Sequence, residues 1–283
     1  MLVAKPAGPT SHDVVDIVRR TLGEQRVGHL GTLDPFAKGL LVLVVGRATR
    51  LATFATEWPK SYDGVMRLGV TTDTDDATGA VVATAPWTGI TPSQLAEVIG
   101  KFRGRYEQRP PAYSAVKIEG ERAYRRARRG ETVEPAARPV EIRELEIVEA
   151  AVPDLEFRAT VSGGTYLRSL ARDIGAALGC GAHLSALRRT AVGPFRLEEA
   201  VAPEAVTPAA VRDPSILVAD LPRRNVNRTE RDAVVHGRPL PLTSGGGGGG
   251  AQGRVALFAD DELLGVAECV GEVLKPRVVV AED

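Results

Sequence analysis

The chain has 283 residues, 43% hydrophobic and 25% charged, with 36 basic and 36 acidic side chains. That length suits one large domain with a smaller appendage, and no apolar run approaches the roughly 20 residues that span a bilayer. Without a signal-peptide core at its start, and with Cys180 and Cys269 far apart in sequence and neither beside a second Cys, the chain reads as cytoplasmic, with reduced, buried thiols and neither disulfide framework nor structural zinc.

Lys5-Pro6-Ala7-Gly8-Pro9-Thr10-Ser11 is a turn-rich entry in which Ser11 is the expected N-cap of a helix. Its apolar stripe is Val14, Val15, Ile17, Val18 and Leu22, and Gly23 ends it. Residues 27–41 then place a single carboxylate, Asp34, in a glycine-bracketed turn. Gly28 and Gly31 permit tight backbone, Pro35 biases Asp34 away from the helical region, and Leu40 to Val45 reads as a buried strand. On local chemistry alone Asp34 is a turn or cap residue.

A short helix is expected over residues 48–56, followed by a strand from Lys60 to Gly69 with Tyr62 near its start. Residues 71–79 resemble a calcium loop but lack the Glu at the twelfth position, so a solvated hairpin connection is expected. Thr91-Pro92-Ser93-Gln94 is a capping-box pattern for a helix to Phe102, with a basic exit of Lys101, Arg103 and Arg105. Residues 121–129 read as a helix crowded with five arginines and closed by Gly130. From Lys101 to Gly130 ten Lys or Arg stand against three Glu, a local net of +7, whereas from Val255 to Asp283 two stand against seven acids, a local net of −5. Overall neutrality therefore leaves room for a polyanionic partner, and the arginine run reads as a phosphate-tracking surface.

Strands are expected near Val140 to Val148 and Leu155 to Val161. After Gly163-Gly164, helical spacing of Leu167, Leu170, Ala171, Ile174, Ala177 and Leu178 predicts a buried helix with Tyr166 and Arg168 in its first turn. The helix dipole disfavours an arginine there unless an acid pairs with it. From Pro203 motif density falls, and Leu221-Pro222 is the expected boundary between a domain of residues 1–220 and one of residues 221–283. In the second, a run of six glycines at Gly245 to Gly250 and short alternating strands suggest a small β domain. The fold class expected is α+β, a mixed, largely antiparallel sheet flanked by helices.

The ordered pattern His-x-Gly-x-Leu-Asp-Pro-x-Ala-x-Gly-x-Leu, with Gly46-Arg47-Ala48-Thr49-Arg50 after it, resembles the catalytic signature of the TruB family of tRNA pseudouridine-55 synthases. Lys-Pro-x-Gly-x-Thr-Ser before it, Lys60-x-Tyr62, Pro-Pro-x-Tyr-Ser-Ala-x-Lys, Gly-x-Tyr166-x-Arg168 and the segment His183 to Thr190 extend the resemblance, although Ala4 stands where the family usually carries an acid. It implies a pseudouridine synthase fold with a PUA-like RNA-binding appendage, and isomerisation of uridine 55 in the T-loop of tRNA by base flipping, without cofactor or metal, by a monomer. It implies that Asp34 carries the chemistry at C1′, on the uracil ring or at the sugar, that Arg168 keeps Asp34 ionised, and that Tyr166 is the proton acceptor. Tyr62 stacks on the base, Leu187 walls its pocket, and Lys60, Arg188 and Arg189 lie near the RNA. His29 either fills the space the base vacates or is a loop hydrogen-bonder. Arg223, Arg224, Arg228, Arg231 and Arg238 are the expected RNA contacts of the appendage. Two rival readings are a non-catalytic RNA-binding protein and a glycosidase-like hydrolase; the second needs a paired carboxylate in a comparable motif.

Overall fold

A computed structural model describes residues 1–114, 116–118, 120–242 and 253–282; the expected run of glycines lies outside them. In chain order the first elements are β1 (Leu2–Lys5), α1 (Ser11–Leu22), β2 (Val27–His29), β3 (Lys38–Val45), α2 (Ala52–Ala55), β4 (Lys60–Leu68) and a hairpin of β5 (Val70–Thr72) and β6 (Val81–Thr84). Then come α3 (Pro92–Lys101), β7 (Gly104–Gln108), β8 (Lys117–Ile118), β9 (Glu121–Arg122), α4 (Ala123–Arg128), β10 (Arg138–Ala151), β11 (Asp154–Val161), α5 (Leu167–Ala177), β12 (Ala182–Val192) and β13 (Phe195–Arg196). The last are β14 (Arg223–Asn225), α6 (Arg228–Val235), β15 (Leu240–Pro241), β16 (Arg254–Ala259), β17 (Glu262–Val270) and β18 (Val273–Val279). Among the described residues, no helix is long and apolar enough to cross a membrane.

The main sheet has the order β1-β3-β12-β4-β11-β10-β7, with β2 on β3 and β13 on β12. Its neighbours are antiparallel except for the short parallel contact of β12 with β3. The fold is thus α+β with a largely antiparallel sheet. After the exposed Lys38, strand β3 is apolar because both its faces are covered. Leu41 and Leu43 pack with Val14, Val15 and Val18 of α1, while Leu40, Val42 and Val44 pack with Phe258, Leu263 and Val266 of the C-terminal sheet. Strands β4 and β11 instead alternate, turning Tyr62, Met66, Phe157 and Ala159 toward α5.

The second sheet runs β14-β16-β17-β18-β15 and is crossed by α6. It joins the first through more than apolar contact. Arg50 Nη1 donates to the Val279 carbonyl at 3.0 Å, Arg47 donates to that of Ala281, and the Arg254 guanidinium lies 5.3 Å from the Phe54 ring centre.

Three local expectations change. The N-cap of α1 is Thr10, which forms a reciprocal capping box with Asp13, while Ser11 begins the helix and turns its hydroxyl inward. Cys180 is buried but Cys269 only half so. Residues 71–79 do join a hairpin, yet Asp76 within them is 4% exposed rather than solvated.

Gly39 fixes the parallel pairing of β3 with β12. Its φ is +110°, and a Cβ placed there would lie 2.3 Å from the Arg189 carbonyl oxygen, which is backbone and cannot swing away. Gly39→Ala is expected to destabilise the protein by about 2 kcal/mol or more, from strain and from separation of β3 and β12. Chemical denaturation measures this; a loss below about 0.5 kcal/mol, the ordinary surface range, would mean that the two strands tolerate the added methyl.

Candidate active site

The loop that carries Asp34 is held mostly by side chains spending their donors on its carbonyls. Lys5, 1% exposed, donates through Nζ to the carbonyls of Ala37 at 2.8 Å and Pro35 at 3.4 Å. Ser11 Oγ donates to Leu33 O at 2.9 Å and accepts from Leu33 N at 2.8 Å. Arg189, also 1% exposed, reaches Leu40 O at 2.8 Å, Gly31 O at 3.0 Å and Thr32 O at 3.3 Å. Arg189 was expected near RNA and is instead an internal clamp.

Into this loop comes Arg168 from the first turn of α5. Its Nε donates to Asp34 Oδ2 at 2.8 Å and its Nη2 to Asp34 Oδ1 at 3.2 Å, a two-point contact that only a planar guanidinium makes. Two further donors are bound, Nη1 to Thr74 O and Nη2 to Tyr113 O, each at 2.9 Å. Arg168 is 5% exposed while Asp34 keeps 34% of its side-chain surface open, so the pair has a closed side and an open one. The acid that the dipole argument required is therefore Asp34, 134 residues away in sequence.

A second acid completes the group. Asp76 Oδ2 lies 3.7 Å from Arg168 Nε, and Asp76 Oδ1 accepts from Thr74 Oγ1, Thr78 N and Thr78 Oγ1. Sequence reading missed it because its run of Asp and Thr looks like a solvent-facing turn. Its burial comes from β12, where Ala77 N donates to Leu184 O and Leu184 N to Asp75 O. Burial pushes the Asp34 carboxyl above its ordinary range; Arg168 pulls against this, and the negative Asp76 adds to it. The result is a partly open carboxylate more basic than a surface aspartate, locked to a cation.

Tyr62 and Leu187 belong to the same packed cluster as Leu33, Ala37 and Leu167, chain neighbours of Asp34 and Arg168. Leu187 and the exposed Arg188 also line a groove of about 320 Å³. Tyr166 is the N-cap of α5, two residues before Arg168. His29 Nδ1 accepts Gly31 N–H at 3.3 Å, which is the loop hydrogen bond of its second reading, and burial with the nearby Arg189 charge lowers its pKa. Lys60, expected at the RNA, is 7% exposed and donates to Thr56 O at 3.0 Å and Trp58 O at 2.9 Å; burial brings its pKa to about 8. The larger cavity, of about 510 Å³, lies between β3 and the C-terminal sheet and has none of these residues in its wall.

The arginine surfaces are less free than their sequence suggests. In the run before Gly130, Arg129 bridges Glu121 and Glu131 and Arg126 binds Glu131, leaving Arg122 and Arg125 exposed. In the C-terminal sheet Arg224 binds Glu230, Arg231 lies by Glu262, Arg238 donates to Asp232 O, and Arg223 stacks 4.1 Å from the Phe258 ring centre. Those four make these contacts within residues 223–262, and Arg228 is exposed.

Arg168→Lys keeps the charge and loses the two-point fit. The hydrogen bonds of Arg168, beside its charge, help hold the Asp34 carboxyl down against burial, so losing the two-point fit moves that pKa further up. The acidic limb of the pH–rate profile should therefore shift to higher pH, with the plateau rate down about 100-fold, as expected of a misplaced reacting group. Single-turnover rates across pH measure both; an unmoved limb would mean that Asp34 is not the group titrating.

Two family profiles match the chain: "TruB family pseudouridylate synthase (N terminal domain)" over residues 19–167 and "tRNA pseudouridylate synthase B C-terminal domain" over residues 168–220. A tRNA pseudouridine synthase B of Azoarcus sp. strain BH72 is 42% identical over 288 residues, covering 99% of this chain and 94% of the relative. One of Thermobifida fusca strain YX is 43% identical over 292 residues, covering 99% and 98%. Among solved structures, an H/ACA RNP bound to a substrate RNA containing 2′-deoxyuridine superposes with a TM-score of 0.72 at 25% identity, over 99% of this chain and 85% of the other. The archaeal box H/ACA sRNP Nop10–Cbf5 complex gives 0.71 at 26%, over 99% and 86%. With matched sequence running through every element that builds the Asp34 loop and its arginine, the chain belongs to the TruB family of pseudouridylate synthases.

Proposed function

We propose that this chain isomerises uridine 55 in the T-loop of tRNA to pseudouridine, using Asp34 as its catalytic carboxylate. The observation that carries the reading is the two-point Arg168–Asp34 contact, buried on the arginine side and open on the acid side. The names of the relatives, tRNA pseudouridine synthase B, support the substrate. The reaction breaks the N1–C1′ bond, rotates the uracil and joins C5 to C1′, moving one proton from C5 to N1. Its atoms and electrons balance within the substrate, so it needs neither cofactor nor metal.

In this reading the target base leaves its stack and lies between Tyr62 and Leu187, while Asp34 attacks C1′ or the uracil ring, or deprotonates the sugar. Tyr166 accepts the C5 proton. His29 and Arg188 are RNA-side residues, whereas Arg189 acts at one remove by holding the loop and Lys60 by tying down the turn at Thr56 and Trp58. Exposed Arg105, Arg122, Arg125 and Arg188 supply phosphate contacts. Residues 221–283 form a small PUA-like appendage that adds affinity for the T-arm. The protein works as a monomer in the cytoplasm.

The rival reading as a binding protein with Asp34 as a turn residue is separated by Asp34→Asn. The turn is closed by the backbone bond from Ala37 N to Asp34 O, which the amide keeps. Affinity for tRNA should stay within about threefold of wild type, while pseudouridine formation falls by at least about 10³-fold, as for loss of an essential nucleophile. Carbodiimide mapping of T-arm RNA after a single turnover reads the product, and appreciable product from the variant would sink the catalytic assignment.

A further inference from the structure

Tyr166 is gripped by one cross-strand pair of residues that are distant from it in sequence. Gln108 at the end of β7 and Arg138 at the start of β10 face each other in the antiparallel register. Gln108, fully buried, closes a ring on the Tyr166 main chain: its Oε1 accepts Tyr166 N–H at 2.8 Å and its Nε2 donates to the Tyr166 carbonyl at 3.1 Å. This fixes where α5 begins. Arg138 deals with the ring. Its guanidinium carbon is 5.2 Å from the ring centre, within the reach of a cation–π contact, and the same group donates to the Gly164 carbonyl. Gly164 has φ +80°, so the turn that feeds Tyr166 into the helix is a glycine conformation tied down by Arg138. Among the described residues, the hydrogen bonds of Tyr166 are all made by its main chain, leaving its hydroxyl for something else.

We propose that Arg138 is a positioning residue that aims the Tyr166 phenol at the substrate base, fixing the plane of the ring while Gln108 fixes its backbone. The proposal rests on Tyr166 being the proton acceptor of the reaction above. An aromatic side chain held only at its backbone can still swing its hydroxyl by rotation about two bonds. A guanidinium on one face of the ring removes that freedom without occupying the hydroxyl. A misplacement of about 1 Å at a reacting group costs up to about 100-fold in rate, so a contact of this strength is enough to matter.

The test uses the full-length protein, a T-arm stem-loop RNA, single-turnover rates at saturating protein, and RNA affinity measured in parallel. Arg138→Met is expected to lower the rate about 10-fold with affinity within about threefold of wild type, and Arg138→Lys to recover part of the loss by restoring the cation. In a Tyr166→Phe background the Arg138→Met change should cost less than about threefold more, because the two residues act as one unit. If the Met variant fails to fold, the same comparison is made with Arg138→Lys. Weakened affinity with an unchanged saturating rate would make Arg138 a phosphate contact and overturn the proposal. Additive losses in the double variant would overturn it too. A full rate in Tyr166→Phe would remove Tyr166 from the chemistry and this proposal with it, while Asp34→Asn in the same assay tests the Asp34 reading separately.

Discussion

Withdrawing a carboxylate from water beside a buried guanidinium is the constraint on which the rest of the structure turns. Desolvation costs on the order of several kcal/mol per ion, and two charges recover it only with good geometry and with every other donor satisfied. Arg168 makes two bonds to Asp34 and one each to the carbonyls of Thr74 and Tyr113, so each of its three nitrogens has a partner. Each partner comes from a different part of the chain. The loop after α1, the β5–β6 hairpin and the segment leading to α4 thus converge on one side chain in the first turn of α5.

The loop around Asp34 obeys the same electrostatic logic. Turn carbonyls pointing inward need donors, and Lys5, Ser11 and Arg189 supply them from β1, α1 and β12. Two of these donors are cations, so they also offset the field of Asp34 and Asp76. Burial lowers the Lys5 pKa to about 8, with the Asp34 charge pulling it back up, so this ammonium and the carboxylate stabilise each other's charged form.

Asp34, Arg168 and Tyr166 were legible in the sequence because short motifs carry them, and an arginine in the first turn of a helix announces its need for an acid. The sheet was legible in outline through the alternation of β4 and β11 and the doubly covered run of β3. Residues that act through tertiary contact were not. Asp76 sits among Asp and Thr and is buried only once β12 pairs with the hairpin. Gln108 and Arg138 meet Tyr166 across 58 and 28 positions, through a strand register that no local pattern encodes. The opposite error has the same root: Lys60 and Arg189 carry charges that composition reads as surface, yet each turns inward to bind carbonyls. Thr10 and Ser11 are both good caps, and only the reciprocal bond of Asp13 chooses between them.

The strand order β1-β3-β12-β4-β11-β10-β7 puts β12, among the last strands of the main sheet to be made, between two of the first. A chain emerging from the ribosome therefore cannot complete its sheet until residue 192 is out, because β3 and β4 have no shared neighbour before then. The N-terminal third must wait with its apolar strands open, and the slow closure of such long-range pairs adds to that exposure. Asp34 and Arg168, carried by elements that only the closed sheet holds in register, are thus brought together late in synthesis.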